Sequence, residues 1–274
     1  MRNPDNPIPK APMPTLADSH VHLDDARFDA DRDAVIERAR AAGVKLQVIP
    51  GTDAASWPHI HHLCMPGSGL FPAYGMHPMF MHRHQPDDLA SLKDWLKTGR
   101  PVALGEIGLD FYQAGHDAPA QRDVFRQQLF LARDFDLPVI LHARAALDEV
   151  TSTLRRTGGL RGVVHSFSGS QEQAEQLWKI GFCLGIGGPV TYERAQRLRR
   201  IVANMPIEYL LLESDAPDQP GAAHRGERNE PSYLADTLRC VAELRGVDPQ
   251  ELADATTANL MRLFGISPEN IPAS

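Results

Sequence analysis

His20 and His22 stand one residue apart in "LADSHVHLDD", directly after a short apolar run. On a strand, side chains at i and i+2 leave the same face, so these imidazoles point together with Asp24 in register behind them. Such a pair suits a metal ion, unless the pairing is chance in a chain with 12 histidines. Further ionisable residues occupy comparable places. His77 follows "GLFPAYGM", Glu106 interrupts "PVALGEIGLD", and His142 interrupts "LPVILHA". His165 follows "LRGVV" and Asp215 follows "IEYLLLES". A polar group set into an apolar run needs a partner to offset its desolvation. Taken singly, each has an ordinary explanation: a hydrogen-bonded core histidine, an arginine partner for Glu106, a helix cap for Asp215.

The elements that carry these residues supply a shared explanation. Short apolar runs alternate with amphipathic stretches along the chain, beginning with "TLADSHVH" and "RDAVIERARAAG". The other strand candidates are "KLQVIPG", "GLFPAYGMHP", "PVALGEIGLD", "LPVILHA", "LRGVVHSFSG", "FCLGIGG" and "IEYLLLESDAP", each followed by a helical pattern. A last helix, "DPQELADATTANLMRLFG", closes the chain. Eight strand–helix units with nearly continuous apolar strands predict an α/β fold, a single (β/α)8 TIM barrel. No G-x-G-x-x-G follows any strand, which removes the usual support for an open dinucleotide-binding sheet. "MRNPDNPIPKAPMPT" carries five prolines in its first 14 residues and no apolar core. Residues 1–14 therefore read as a flexible Pro-rich tail and 15–274 as one barrel domain.

In such barrels the chemistry gathers at the C-terminal ends of the strands, and all of the singled-out residues fall at those ends. Several independent accidents at one rim are less economical than one metal site there. Four imidazoles and two carboxylates suit two divalent ions of the Mg, Mn or Zn kind. Glu106, on a middle strand, is the natural bridge between ions about 3.5–4 Å apart. His20, His22 and Asp215 would complete one sphere, and His142 with His165 the other. Asp215 is placed to accept the proton of an activated water.

Composition limits the remaining possibilities. Lys and Arg total 28 against 35 Asp and Glu, a formal charge of −7, which excludes a broadly basic nucleic-acid coat. Cys64, Cys183 and Cys240 are scattered and odd in number, so a disulfide scaffold is not expected and a reducing cytoplasm is. No run reaches the roughly 18 apolar residues of a membrane span. A monomer with no obligate protein partner is expected.

Eight stretches taken together resemble the TatD family of metal-dependent deoxyribonucleases, which are amidohydrolase-like barrels. They are "DSHVHLD", "YGMHP", "ALGEIGLDFY", "LPVILHARAA", "HSFSGS", "LLLESDAP", "RGERNEP" and "TTANLMRLFG", and they run in order from residue 18 to residue 265. H-x-H alone is shared by many amidohydrolases, whereas "GEIGLDFY" and "RGERNEP" are far more specific. The resemblance implies hydrolysis of phosphodiester bonds in DNA, commonly as a 3′-to-5′ exonuclease on single strands. It places His20, His22, Glu106, His142, His165 and Asp215 on metal positions, with Asp215, Glu106 and His77 as catalytic residues. His77 then touches the scissile phosphate, and Arg144, Arg225 and Asn229 line the mouth as substrate-binding residues. Arg225 could equally pair with Glu227 or Glu230 in its own loop.

The sequence departs from the family pattern at Asp218, where an aromatic is usual, at Glu227, where lysine is usual, and at Ser166, where cysteine is common. Two added negative charges make the mouth less favourable to a polyanion. They support an alternative small-molecule hydrolase acting on an amide, lactone or aminoacyl ester. His59, His61, His62, His82 and His84 fall in helix or loop stretches and read as surface residues. Arg194 to Arg200 read as the solvent face of the seventh helix.

Overall fold

The structure, a computed structural model, describes residues 14–112 and 114–272, so the Pro-rich stretch lies outside the described residues except for Pro14. Eight parallel strands form one sheet whose spatial order follows the chain: β1 (Leu16–Asp18), β2 (Val44–Pro50), β3 (Leu70–Tyr74), β4 (Ala103–Asp110), β5 (Val139–Arg144), β6 (Gly162–Val164), β7 (Phe182–Ile186) and β8 (Leu210–Leu212). The circle closes just past the strand ends, where Ser19 N–H donates to the Leu212 carbonyl (3.0 Å) and Asp215 N–H to that of His20 (2.9 Å). The expected (β/α)8 TIM barrel is therefore the observed fold.

Its outer ring consists of α1 (Arg32–Ala41), α2 (Trp57–Leu63), α3 (Asp88–Thr98), α4 (Ala118–Asp134), α5 (Leu147–Thr157), α6 (Gln171–Trp178), α7 (Gln196–Asn204) and α8 (Leu234–Arg245). Each helix buries a stripe at helical spacing, as α4 does with Phe125, Gln128, Leu129 and Ala132. Residues from all eight strands, among them Ala17, Leu46, Ala73, Ile140, Val163 and Leu211, meet in an interior cluster. The last helix, α9 (Pro249–Phe264), adds Leu260, Leu263 and Phe264 to that cluster and so plugs the barrel floor. None of the described helices is long and apolar enough to cross a membrane.

Several strands end earlier than their apolar patterns. β1 stops at Asp18, β3 at Tyr74 and β8 at Leu212, so His20, His22, His77 and Asp215 lie on the segments that leave the strands. Val21 and Leu23 stay fully buried beyond the end of β1, which explains why the pattern reads on. Glu106 differs in the other sense: it sits within β4, and Asp110 is the terminal residue. The seventh helix begins only at Gln196, leaving Arg194 in the preceding loop.

Candidate metal centre

The first side chains of the centre are held by pairing between the exits of β1 and β8. His20 accepts from Asp215 N–H, and His22 N–H donates to the Ala216 carbonyl at 2.8 Å, which fixes both residues against the β8 exit. Their Nε2 atoms lie 3.1 Å apart. His20 Nε2 is 3.6 Å and His22 Nε2 3.8 Å from Asp215 Oδ1. Asp215 itself adopts φ +56°, a left-handed conformation that Asp tolerates better than most residues and that is often seen at functional sites.

Glu106 lies between two groups of imidazoles. Its Oε2 is 3.2 Å from His20 Nε2 and 3.6 Å from His22 Nε2. Its Oε1 faces the other way, 3.0 Å from His142 Nδ1, 2.9 Å from His165 Nε2 and 2.9 Å from His77 Nε2. Metal bonds of about 2.0–2.2 Å in tetrahedral arrangement separate neighbouring ligand atoms by roughly 3.3–3.6 Å. Several of the donor distances fall at that spacing, and the shorter ones need only a slight opening. Three overlapping triads bring their ligand atoms within 4.8 Å of one another: His20–Glu106–His165, His20–His22–Asp215 and His77–Glu106–His142. The donor set therefore fits divalent cations, with one carboxylate oxygen offered to each side.

Electrostatics favours positive charge here. Burial would push Glu106 up, but the facing imidazoles of His77, His165 and His20 hold it well below the ordinary carboxylate range. Burial would likewise lower His165, yet Glu106, Asp215 and Glu213 outweigh it and raise the ring to about 10. These carboxylates demand a cation, whether a proton or a metal ion. Burial raises Asp215. It also lowers His77 to about 4, so that ring is neutral at physiological pH. Its tautomer follows from geometry, because Nδ1 accepts from Met79 N–H (3.1 Å), so Nε2 carries the proton towards Glu106.

Sequence reasoning missed the carboxylates behind the ligands. Asp110 Oδ2 lies 2.8 Å from His142 Nε2, which assigns the ring proton to Nε2 and frees Nδ1 for a cation. Glu213 is fully buried, accepts from Ser166 N–H at 2.5 Å and approaches His165 Nδ1 at 3.8 Å. Its carboxylate occupies the space left by Gly185, where a Cβ would come within 2.0 Å of Oε2. Asp18 accepts from Ser214 N–H and His20 N–H and so ties the β1 and β8 exits together. The signal was present in the sequence: Asp110 lies four residues after Glu106 and Glu213 two before Asp215, in the same apolar strings. A close approach also explains one glycine, Gly108 at φ +144°, whose Cβ would meet the His142 carbonyl at 1.9 Å.

The proposed substrate contacts separate into two kinds. Arg144 and Arg225 are exposed. Arg225 makes no ion pair among the described residues, since Glu227 pairs with His224 and Glu230 with Arg38 and Arg228. Asn229 is instead buried, its amide donating to the Ser214 and Asp218 carbonyls at 2.7 Å each, so its polar atoms are engaged in holding the β8 exit. Among the other histidines, His62 and His82 are exposed, while His61 is exposed with its ring against the Tyr74 hydroxyl. His59 is partly covered, and half-buried His84 reaches the His77 carbonyl with its ring (2.9 Å). Arg199 turns inward from α7 to the Val190 carbonyl, unlike a residue on a solvent face.

Comparison with known proteins agrees with this geometry. A family model described as TatD-related DNase matches residues 17–265. The uncharacterized metal-dependent hydrolase YjjV of Escherichia coli K12 is 37% identical over 252 residues, covering 91% of this chain and 97% of its own. A 3′-5′ ssDNA/RNA exonuclease TatD from Klebsiella pneumoniae is 35% identical over 262 residues, covering 92% and 98%. The crystal structure of Escherichia coli YjjV, a TatD homologue, superposes with a TM-score of 0.88 at 36% identity, covering 92% of this chain and 98% of that one. The chain thus belongs to the TatD-related DNase family and is a metal-dependent hydrolase.

Proposed function

We propose that the protein is a two-metal phosphodiesterase that removes nucleotides from the 3′ end of single-stranded DNA. The observation that carries this reading is the division of Glu106, one oxygen facing His20 and His22, the other facing His77, His142 and His165. His20, His22 and Asp215 would hold one Mg, Mn or Zn ion, and His142 with His165 the other. Such ions polarise a phosphoryl oxygen and lower the pKa of a bound water.

The chain's own groups do the rest. Asp215 Oδ1 faces the centre while Oδ2 accepts a hydrogen bond from the Gln219 amide, which orients the carboxylate to take a proton from the attacking water. His77 Nε2–H, neutral and fixed in tautomer, can donate to a non-bridging phosphoryl oxygen. Two divalent ions beside Glu106 and Asp215 would present positive charge to a phosphoryl oxygen at the open side of the centre. The exonuclease name of the Klebsiella relative supports nucleic acid as that anion.

The small-molecule alternative draws on negative charge at Asp218 and Glu227. Asp218 is engaged by the Arg27 guanidinium through two contacts of 2.8 Å, and Glu227 by His224 at 3.0 Å. Both carboxylates are thus held in hydrogen bonds at the rim, Asp218 sharing the Arg27 guanidinium with Asp25. A cytoplasmic monomer without an obligate partner belongs to the same proposal.

The test is release of mononucleotides from 5′-labelled single strands with Mg²⁺ or Mn²⁺, beside a panel of esters and lactones. Stepwise shortening from the 3′ end, abolished by EDTA and by Glu106→Ala or His142→Ala, is expected. Turnover of an ester or lactone with DNA left intact would refute it.

A further inference from the structure

Among the described residues, four large hydrophobic or aromatic side chains are markedly exposed: Met65, Phe130, Val247 and, most of all, Tyr112 at 65%. Met65 and Val247 lie in helix-to-strand or helix-to-helix connections and Phe130 on the outside of α4, whereas Tyr112 stands in the loop leaving β4, at the mouth. A solitary exposed aromatic needs no explanation, but this one is held in place and partnered. Its N–H donates to Asp110 Oδ1 (2.9 Å), the carboxylate that orients His142. Arg144, register partner of Asp110 on the neighbouring strand, sets its guanidinium carbon 3.7 Å from the Tyr112 ring centroid. Phe111 N–H donates to the Arg144 carbonyl (2.9 Å), which fixes the two residues side by side.

The Arg144 guanidinium makes no hydrogen bond or ion pair among the described residues, so its N–H donors remain available beside the ring. Cavities of about 430 Å³, bordered by Asp110 and His116, and about 370 Å³, bordered by Phe111, Ala143 and the ligand His165, are lined by chain neighbours of this pair.

We infer that Tyr112 and Arg144 form a stacking subsite for the base of an unpaired nucleotide, with the Arg144 fork taking an adjoining phosphate, next to the metal centre. This rests on the nuclease reading and deepens it. Every base has a π-face, so the subsite requires a nucleotide whose base is free of its duplex partner and discriminates little among bases. An amide or lactone without an aromatic ring or a phosphate would use neither group.

The test uses the intact protein in EDTA, where turnover stops, and fluorescence anisotropy of a labelled oligothymidylate. An abasic sugar replaces each of the three 3′-terminal nucleotides in turn. Loss of the stacked base is expected to weaken wild-type binding about fivefold to 150-fold at one position. Tyr112→Leu is expected to lose a similar factor on the full oligonucleotide and to be indifferent to that abasic sugar. Tyr112→Trp keeps the wild-type behaviour, and Arg144→Gln lowers the salt dependence by about one counterion. Thermal melting of each variant checks that the fold survives.

An abasic penalty that persists undiminished in Tyr112→Leu, or binding by that variant equal to wild type, overturns the subsite. Cleavage of DNA indifferent to both changes would sink the subsite and spare the nuclease reading. Base-dependent binding by a protein that never cleaves DNA would do the reverse.

Discussion

Replacing Asp110 with asparagine tests whether the ligand histidines are held in the required tautomer. Burial alone would raise Asp110, but hydrogen bonds from His142 and Tyr112 N–H outweigh it and keep the carboxylate ionised. Both oxygens are engaged, Oδ1 by Tyr112 N–H at 2.9 Å and Oδ2 by His142 Nε2 at 2.8 Å. Asparagine has one acceptor for these two donors. If its oxygen serves Tyr112, its NH₂ faces His142 Nε2 and drives the ring proton to Nδ1, the atom aimed at the centre. If its oxygen serves His142, two donors oppose each other at Tyr112. The lost bond is charge-assisted and worth about 1.5–3 kcal/mol, against about 1 for a neutral amide. The difference, about 0.5–2 kcal/mol, overlaps the lower part of the tenfold to 100-fold loss of metal affinity, about 1.4–2.7 kcal/mol, seen when such partners are removed. Calorimetric titration with Mn²⁺ or Zn²⁺ gives the affinity, and ¹⁵N spectra of labelled histidines give the tautomer. Wild-type affinity with His142 still protonated at Nε2 in Asp110→Asn would refute the reasoning.

Gly185→Ala should destabilise the fold by about 1–3 kcal/mol, because the new methyl displaces the buried Glu213 carboxylate. The penalty should shrink in a Glu213→Ala background, as read by urea melts of the four proteins. Asn229→Ala should cost about 1–3 kcal/mol through the unpaired Ser214 and Asp218 carbonyls, a loss visible in the same melts. Hydrogen bonds from Arg38 and then Arg228 hold Glu230 below the ordinary carboxylate range. A depressed carboxylate stabilises the fold above its unfolded pKa of about 4.3, and the contribution disappears as pH falls through its folded value. The stability gap between wild type and Glu230→Gln should therefore be constant above about pH 5 and close on further acidification.

Much of this architecture is legible in the sequence because parallel barrel strands are buried on both faces and read as continuous apolar runs. The same property blurs their ends: Val21 and Leu23 are as deeply buried as β1 itself, so the pattern cannot mark where the hydrogen-bond ladder stops. It also conceals that Glu106 lies inside its strand and that Asp110 ends it. Residues pointing into the mouth interrupt apolar runs and attract notice. Supporting carboxylates such as Glu213 and Asp18 do so equally, but their partners are main-chain amides and ring nitrogens far away in sequence. Asn229 shows the opposite case, a polar residue in a motif-rich loop whose amide is engaged by main-chain carbonyls.

The floor plug formed by α9 sets an order of events during synthesis. The interior cluster needs Leu260, Leu263 and Phe264, which leave the ribosome after every strand has already emerged. Thr257 Oγ1 also donates to the Thr15 carbonyl (3.0 Å), joining the middle of α9 to the residue before β1. A nascent chain halted before residue 249 would hold all eight strands around a wet, open-bottomed interior, a natural substrate for chaperones and proteases. Closure of the interior thus waits on α9, the element that supplies its floor.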